Sequence, residues 1–134
     1  MSNASNFLED ELLGLILNQT ATTFASAAYV ALSTTDPLDD GSGITEPSGG
    51  SYARLNVSAG FTITGGGAGS ATNTARVSFP KATGSWGTIT HFAIFDASSG
   101  GNMLIHNSIS GPGVTVTTST TVTFDVGELT VTVA

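Results

Sequence analysis

The stretch GTITHFAIFDASSGGNMLIHNSIS, Gly87 to Ser110, holds both histidines of the chain, an aspartate, and two apolar runs around Ser-Ser-Gly-Gly. From Thr88 to Asp96 the polarity has period two. That period puts Thr90, Phe92, Ile94 and Asp96 on one face and Ile89, His91, Ala93 and Phe95 on the other. The glycine-containing turn then sends the chain back along Asn102 to Ile109, so the stretch reads as an antiparallel hairpin. His91 lies in line with apolar residues, where a packed, hydrogen-bonded histidine is the default. Asp96 ends its strand, where a carboxylate accepts turn N–H groups. His106 stands beside Leu104 and Ile105 and can be a cross-strand neighbour of His91. Such a pair could hold a metal or sense pH, but no third ligand stands at a suitable spacing. Serine catalysis needs an activated hydroxyl, and no Gly-x-Ser-x-Gly elbow is present. The stretch therefore predicts a hairpin rather than an active site.

Outward from the hairpin the same period continues. Strands are expected at 28–33, 52–57, 61–64, 74–79, 114–117, 120–125 and 128–133. Ala53, Leu55 and Val57 should face inward on one strand, and Ala75, Val77 and Phe79 on another. About eight or nine short strands separated by turn signals predict a mainly β fold, an antiparallel β-sandwich or jelly-roll-like barrel. At 134 residues the chain is expected to form a single β-sandwich domain, 1–134, able to bury roughly two-thirds of its unfolded surface.

One helix is expected before the strands, over about 6–18. Ser5 or Asn6 can cap it, with Glu9 placed for a capping box from Asn6. Glu9, Asp10 and Glu11 suit the positive end of the helix dipole. Leu8, Leu12, Leu15 and Ile16 share a face, and Phe7, Leu13 and Leu17 widen it. A helix apolar over so much of its girth needs cover on more than one side, from its own sheet or from a neighbouring subunit. Phe7, Leu8, Leu12, Leu13, Ile16, Leu17 and Trp86 are accordingly the candidate interface residues. Trp86, the only tryptophan, can equally cap the sandwich.

Composition narrows the function. Charged residues make up 10% of the chain, against about 25% in typical domains. Ten acidic and three basic residues give a formal charge of −7, and Arg54, Arg76 and Lys81 form no basic stripe. Nucleic-acid binding and attraction to an anionic membrane are not expected. Without cysteine there is no disulfide framework and no thiolate metal site. The run Leu12–Leu17 is too short for a membrane span and follows acidic residues, so it does not read as a signal peptide. The acidic loop with Asp36, Asp39, Asp40 and Glu46 lacks the EF-hand spacing and reads as a solvated turn rather than a calcium site. The run Gly65–Ser70 lacks the Gly-Lys-Ser/Thr ending of a phosphate cradle and reads as a flexible hairpin loop. No catalytic residue, cofactor or metal is expected. A surface of small neutral groups suits contact with another protein.

Several strings occur in a set order: NFLEDELL from Asn6, YVALSTTDP from Tyr29, GSYARLNV from Gly50, FPKATGSWGTITHFAIFDASSGGNML from Phe79 and FDVGELTVTV from Phe124. Together they cover nearly the whole chain, and Trp86, Gly87, Thr90 and His91 carry the most specific part. In these strings the chain resembles a family of small bacteriophage virion proteins labelled tail-fibre proteins. The resemblance implies a non-enzymatic structural protein of the virion, partnered by other phage structural proteins. An acidic chain without cysteine or a signal-peptide pattern suits assembly in the host cytoplasm. The chain has neither heptads nor a β-helical repeat from which to build a long fibre. A compact β-domain with an apolar helix suits a knob on a lattice. The leading expectation is thus a capsid decoration (cement) protein, a homo-oligomer with a trimer favoured, contacting the major capsid protein. The alternative is a tail-fibre or tail adaptor or tip module. A weaker alternative is a host-surface glycan-binding module, with Trp86, Tyr29 and Tyr52 as stacking faces.

Overall fold

A computed structural model describes residues 3–17, 27–64 and 69–132. The fold is mainly β, with antiparallel sheets in a sandwich-like arrangement, and no sheet closes into a barrel among the described residues. The widest sheet has the order β1-β9-β8-β2-β3. These strands are Asn3–Ala4, Met103–Ser108, His91–Phe95, Tyr29–Ser33 and Leu55–Asn56. A second sheet has the order β12-β5-β4, from Thr130–Thr132, Ser70–Asn73 and Phe61–Thr64. Two ribbons complete the set: β7 (Gly87–Ile89) with β10 (Val114–Val116), and β6 (Val77–Ser78) with β11 (Thr123–Phe124).

The hairpin forms as its period predicts, but its first strand is broken. Thr90 separates β7 from β8 and accepts the Ile109 N–H through its carbonyl, while its own N–H goes to Ser33 O. The break shifts the phase. Ile89 joins Phe92 and Ile94 in the main core instead of sharing a face with His91, Ala93 and Phe95. A bulge between Ile94 and Phe95 moves the register on the return strand, so that Ile94 faces Ile105 and Phe95 faces Met103.

The main core gathers Val30, Leu32, Phe79, Trp86, Ile89, Phe92, Val116, Phe124 and Leu129. Its centre is aromatic: Tyr52 meets Trp86 edge-on at 5.3 Å between ring centroids, and Phe79 bridges to Phe124. The other face of the widest sheet carries a smaller core of Ala31, Ala93, Phe95 and Met103, closed by Ile44. Ala31 and Ala93 lie opposite each other, and their small side chains leave room for the loop after β2 to fold over the sheet. Pro37 is buried there, so this loop is packed where a freely solvated turn was expected.

Other boundaries are corrected too. Residues 52–54 are not strand; Ala53 is exposed while Tyr52 enters the aromatic cluster. Ala75 is exposed, and the buried polar residue before it, Asn73, ends β5, a strand the period did not predict. Positions 18, 65–68 and 133, on which the helix end, the Gly-rich loop and the last strand end were expected, lie outside the described residues.

Helix α1 spans Asn6–Ile16. Ser5 is its cap: its hydroxyl accepts the Leu8 N–H at 3.2 Å and donates to Met103 O of β9. Asn6 is therefore inside the helix, and its N–H donates to Asp39 O at 2.9 Å instead of forming a capping box with Glu9. The cap residue is chosen by the sheet, because only Ser5 reaches both the first turn and β9.

Candidate assembly surface

His91, Asp96 and His106 are not brought together. His91 faces Ser33 on one side and Ser108 on the other, and His106 faces Ala93, so the two histidines are offset by two positions. His91 Nδ1 lies 2.9 Å from Thr90 Oγ1. The neighbouring Ser33 hydroxyl is occupied, donating to Thr35 O and accepting the N–H groups of Thr35 and Thr45. Asp96 accepts the backbone and side-chain N–H groups of Asn102 at 2.7 and 2.9 Å, which closes the hairpin turn. His106 is buried, with Nε2 3.0 Å from Asp39 Oδ1 and Nδ1 3.8 Å from Asp36 Oδ1.

The carboxylates of the acidic loop divide among three places. Asp36 and Asp39 flank His106, and Asp36 also accepts the Leu38 N–H. Asp40 accepts from Ser42, whose hydroxyl and N–H hold its carboxyl below the ordinary range. Glu46 turns inward to Arg54 and Tyr52. Among the described residues no three His, Cys, Asp or Glu side chains gather in a way that could hold a metal ion.

Of the three aromatic residues offered as stacking faces, Tyr29 on β2 is partly buried, and the other two are engaged. Trp86 is 3% exposed and its indole N–H donates to Gly50 O at 2.9 Å. Tyr52 donates its hydroxyl to Glu46 and accepts the Leu32 N–H. Burial and the adjacent Glu46 carboxylate push the Tyr52 hydroxyl far above its ordinary value. Trp86 thus caps the core and presents nothing outward.

The helix is different. Leu8 is buried and Leu12 packs against the main core, so the first half of the apolar face is covered by the chain itself. Leu15 and Ile16 continue that face, yet they are 50% and 74% exposed. Leu13 and Leu17, round the flank, are 56% and 62% exposed, and Phe7 is partly open. The inward stripe therefore runs off the end of the sheet that covers it. Exposed Glu9 and Asp10 border it, and no basic residue stands in the last turn. Contiguous exposed apolar side chains bordered by charge mark interaction surfaces. Among the described residues no helix is long and apolar enough to cross a membrane. The seven side chains proposed from sequence thus divide: Leu8, Leu12 and Trp86 pack within the chain, while Phe7, Leu13, Ile16 and Leu17 face outward.

A family model described as podophage GP4 fiber I protein gp80 matches residues 3–132. No curated protein matches the chain.

Proposed function

Because the chain belongs to the podophage GP4 fiber I protein gp80 family, and so is a bacteriophage fibre protein and a structural component of the virion, we propose that it is a non-enzymatic module of the tail fibre, held to another virion protein by the overhanging end of α1. The family description supports the fibre over the head-decoration reading. With head decoration goes the reason for favouring a trimer.

The observation that carries the attachment is the exposure of Leu13, Ile16 and Leu17 on a helix whose first half is already seated. A second copy is a poor cover for this face. Two such helices would add the acids Glu9, Asp10 and Glu11 to one another in a chain of net charge −7. An apolar groove with a neutral or basic rim on a different virion protein meets both the apolar stripe and its acidic border.

The test is incorporation. Replacing Leu13 and Ile16 together by lysine changes side chains that the chain itself leaves open, so the β fold should persist by circular dichroism. The reading predicts that the double variant is missing from purified particles. Incorporation at the wild-type level would reject the helix as the attachment.

A further inference from the structure

We propose that β4 is a self-association edge: two copies of this chain join their β12-β5-β4 sheets by antiparallel pairing of β4 with β4 about a two-fold axis at Thr62. The backbone phase of β4 comes first. Phe61 faces Asn73, Thr62 faces Thr72, Ile63 faces Ala71 and Thr64 faces Ser70. One residue earlier, Thr74 N–H donates to Gly60 O at 2.9 Å. Antiparallel pairs alternate between bonded and non-bonded, so Gly60, Thr62 and Thr64 turn their backbone groups toward β5. The far side of β5 agrees. Asn73 N–H donates to Leu129 O at 3.3 Å, which assigns Asn73 and Ala71 to β12 and leaves Thr72 and Ser70 for β4. Phe61 and Ile63 therefore aim their N–H and C=O groups at the sheet edge that no strand covers among the described residues.

The side chains point the same way. Phe61 and Ile63 share a face. Phe61 packs against the main core, while Ile63 is 78% exposed. Natural edges are blunted by charge, proline or a bulge. Phe61–Thr64 carries no charge and no proline, and its ladder with β5 is unbroken.

A second copy fits this edge because Phe-Thr-Ile is complementary to itself. Centred on Thr62, Phe61 of each copy lies opposite Ile63 of the other. Both are hydrogen-bonding positions, so the pairing closes four backbone hydrogen bonds. Both pairs place a phenyl ring beside an exposed isoleucine on one face. The charge pattern agrees. Neither β4, β5 nor β12 contains a charged residue, so two chains of net charge −7 can meet here without placing like charges together.

The chain has no cysteine, so a single introduced one reports this contact. At the axis, Thr62 of each copy forms a non-bonded pair with Cα atoms about 4.5 Å apart, within the roughly 4.4–6.8 Å of a disulfide. Across the same axis the Thr64 positions are on the order of 13 Å apart along the strands. Mild oxidation of purified Thr62→Cys should give a dimer on a non-reducing gel, and Thr64→Cys should not. Adding Ile63→Pro removes an outward N–H while sparing the bonds to β5, and it should abolish the dimer. A monomeric Thr62→Cys, or equal cross-linking of both variants, would overturn the proposal. So would a Thr62→Cys product in particles that joins only a different virion protein. If Thr62→Cys fails to fold, sedimentation of the unmodified chain against Ile63→Lys decides. A dimer that the lysine removes supports the edge, and identical behaviour overturns it.

Discussion

Arg54 and Glu46 form a forked pair, with Nε on Oε1 at 2.9 Å and Nη2 on Oε2 at 2.7 Å. The remaining guanidinium nitrogen donates to Ala97 O and Gly100 O, and the plane lies 3.7 Å from the centre of the Phe95 ring. One arginine thus clasps the loop after β2 to the β8–β9 turn across the small core. Burial raises the Glu46 carboxyl, but hydrogen bonds from Arg54 and Tyr52 and the guanidinium charge outweigh it and leave the group below its ordinary value.

That direction fixes an acid dependence. The unfolded chain binds a proton at Glu46 more readily than the folded one. The pair's contribution is therefore complete above the ordinary glutamate value of about 4.3 and fades as pH falls through it and below. Urea midpoints should drop between pH 7 and about pH 3.5 more steeply in the natural chain than in Glu46→Gln. Parallel profiles would contradict this. Arg54→Met, which leaves the Glu46 carboxylate without its partner, should cost about 2–4 kcal/mol at neutral pH.

Asn73 is the buried polar tie of the second sheet, 1% exposed. Its amide donates to Ala75 O and Asp125 O, both at 2.9 Å, and its oxygen accepts the Leu129 N–H. Asn73→Ala should lose about 2–3 kcal/mol by leaving those backbone groups without partners. Urea unfolding followed by Trp86 fluorescence measures it. A loss near zero would mean that water replaces the amide.

Two adjacent glycines of the hairpin turn should behave differently. Gly100 and Gly101 both have positive φ, 59° and 73°. A Cβ on Gly100 meets open space, whereas one on Gly101 would overlap the Asp96 carboxylate and the Ala97 Cβ. Gly100→Ala should cost about 1–2 kcal/mol, the left-handed strain alone. Gly101→Ala should cost clearly more and loosen the Asp96–Asn102 closure. Equal losses in thermal melts would contradict the overlap.

Ser5 ties α1 to β9, and Ser5→Ala should weaken the helix by about 1–2 kcal/mol. Amide exchange should quicken within Asn6–Ile16 and stay slow in β8 and β2. Uniform quickening would show that the helix and sheet open together.

The hairpin was readable because alternation, a glycine turn and a returning apolar run agree over many residues. Its phase break was not, since Thr90 fits an alternating strand by type and only the contacts to Ser33 and Ile109 reveal the interruption. Arg54 read as an outward residue on a strand. Its burial depends on Glu46, 8 residues earlier across a loop, and on Ala97 and Gly100, 43 and 46 residues away. The apolar girth of α1 was legible, but which leucines remain uncovered depends on where the sheet stops. The small core had one signal, the alanines at 31 and 93, whose meaning requires the strand register. Edge positions such as Phe61 and Ile63 depend on register in the same way.

Localisation on purified virions decides whether this chain is part of the tail fibre. A gold-labelled antibody against the chain should mark the tail fibres and leave the head bare. Regular labelling over the whole head would contradict the account and restore head decoration.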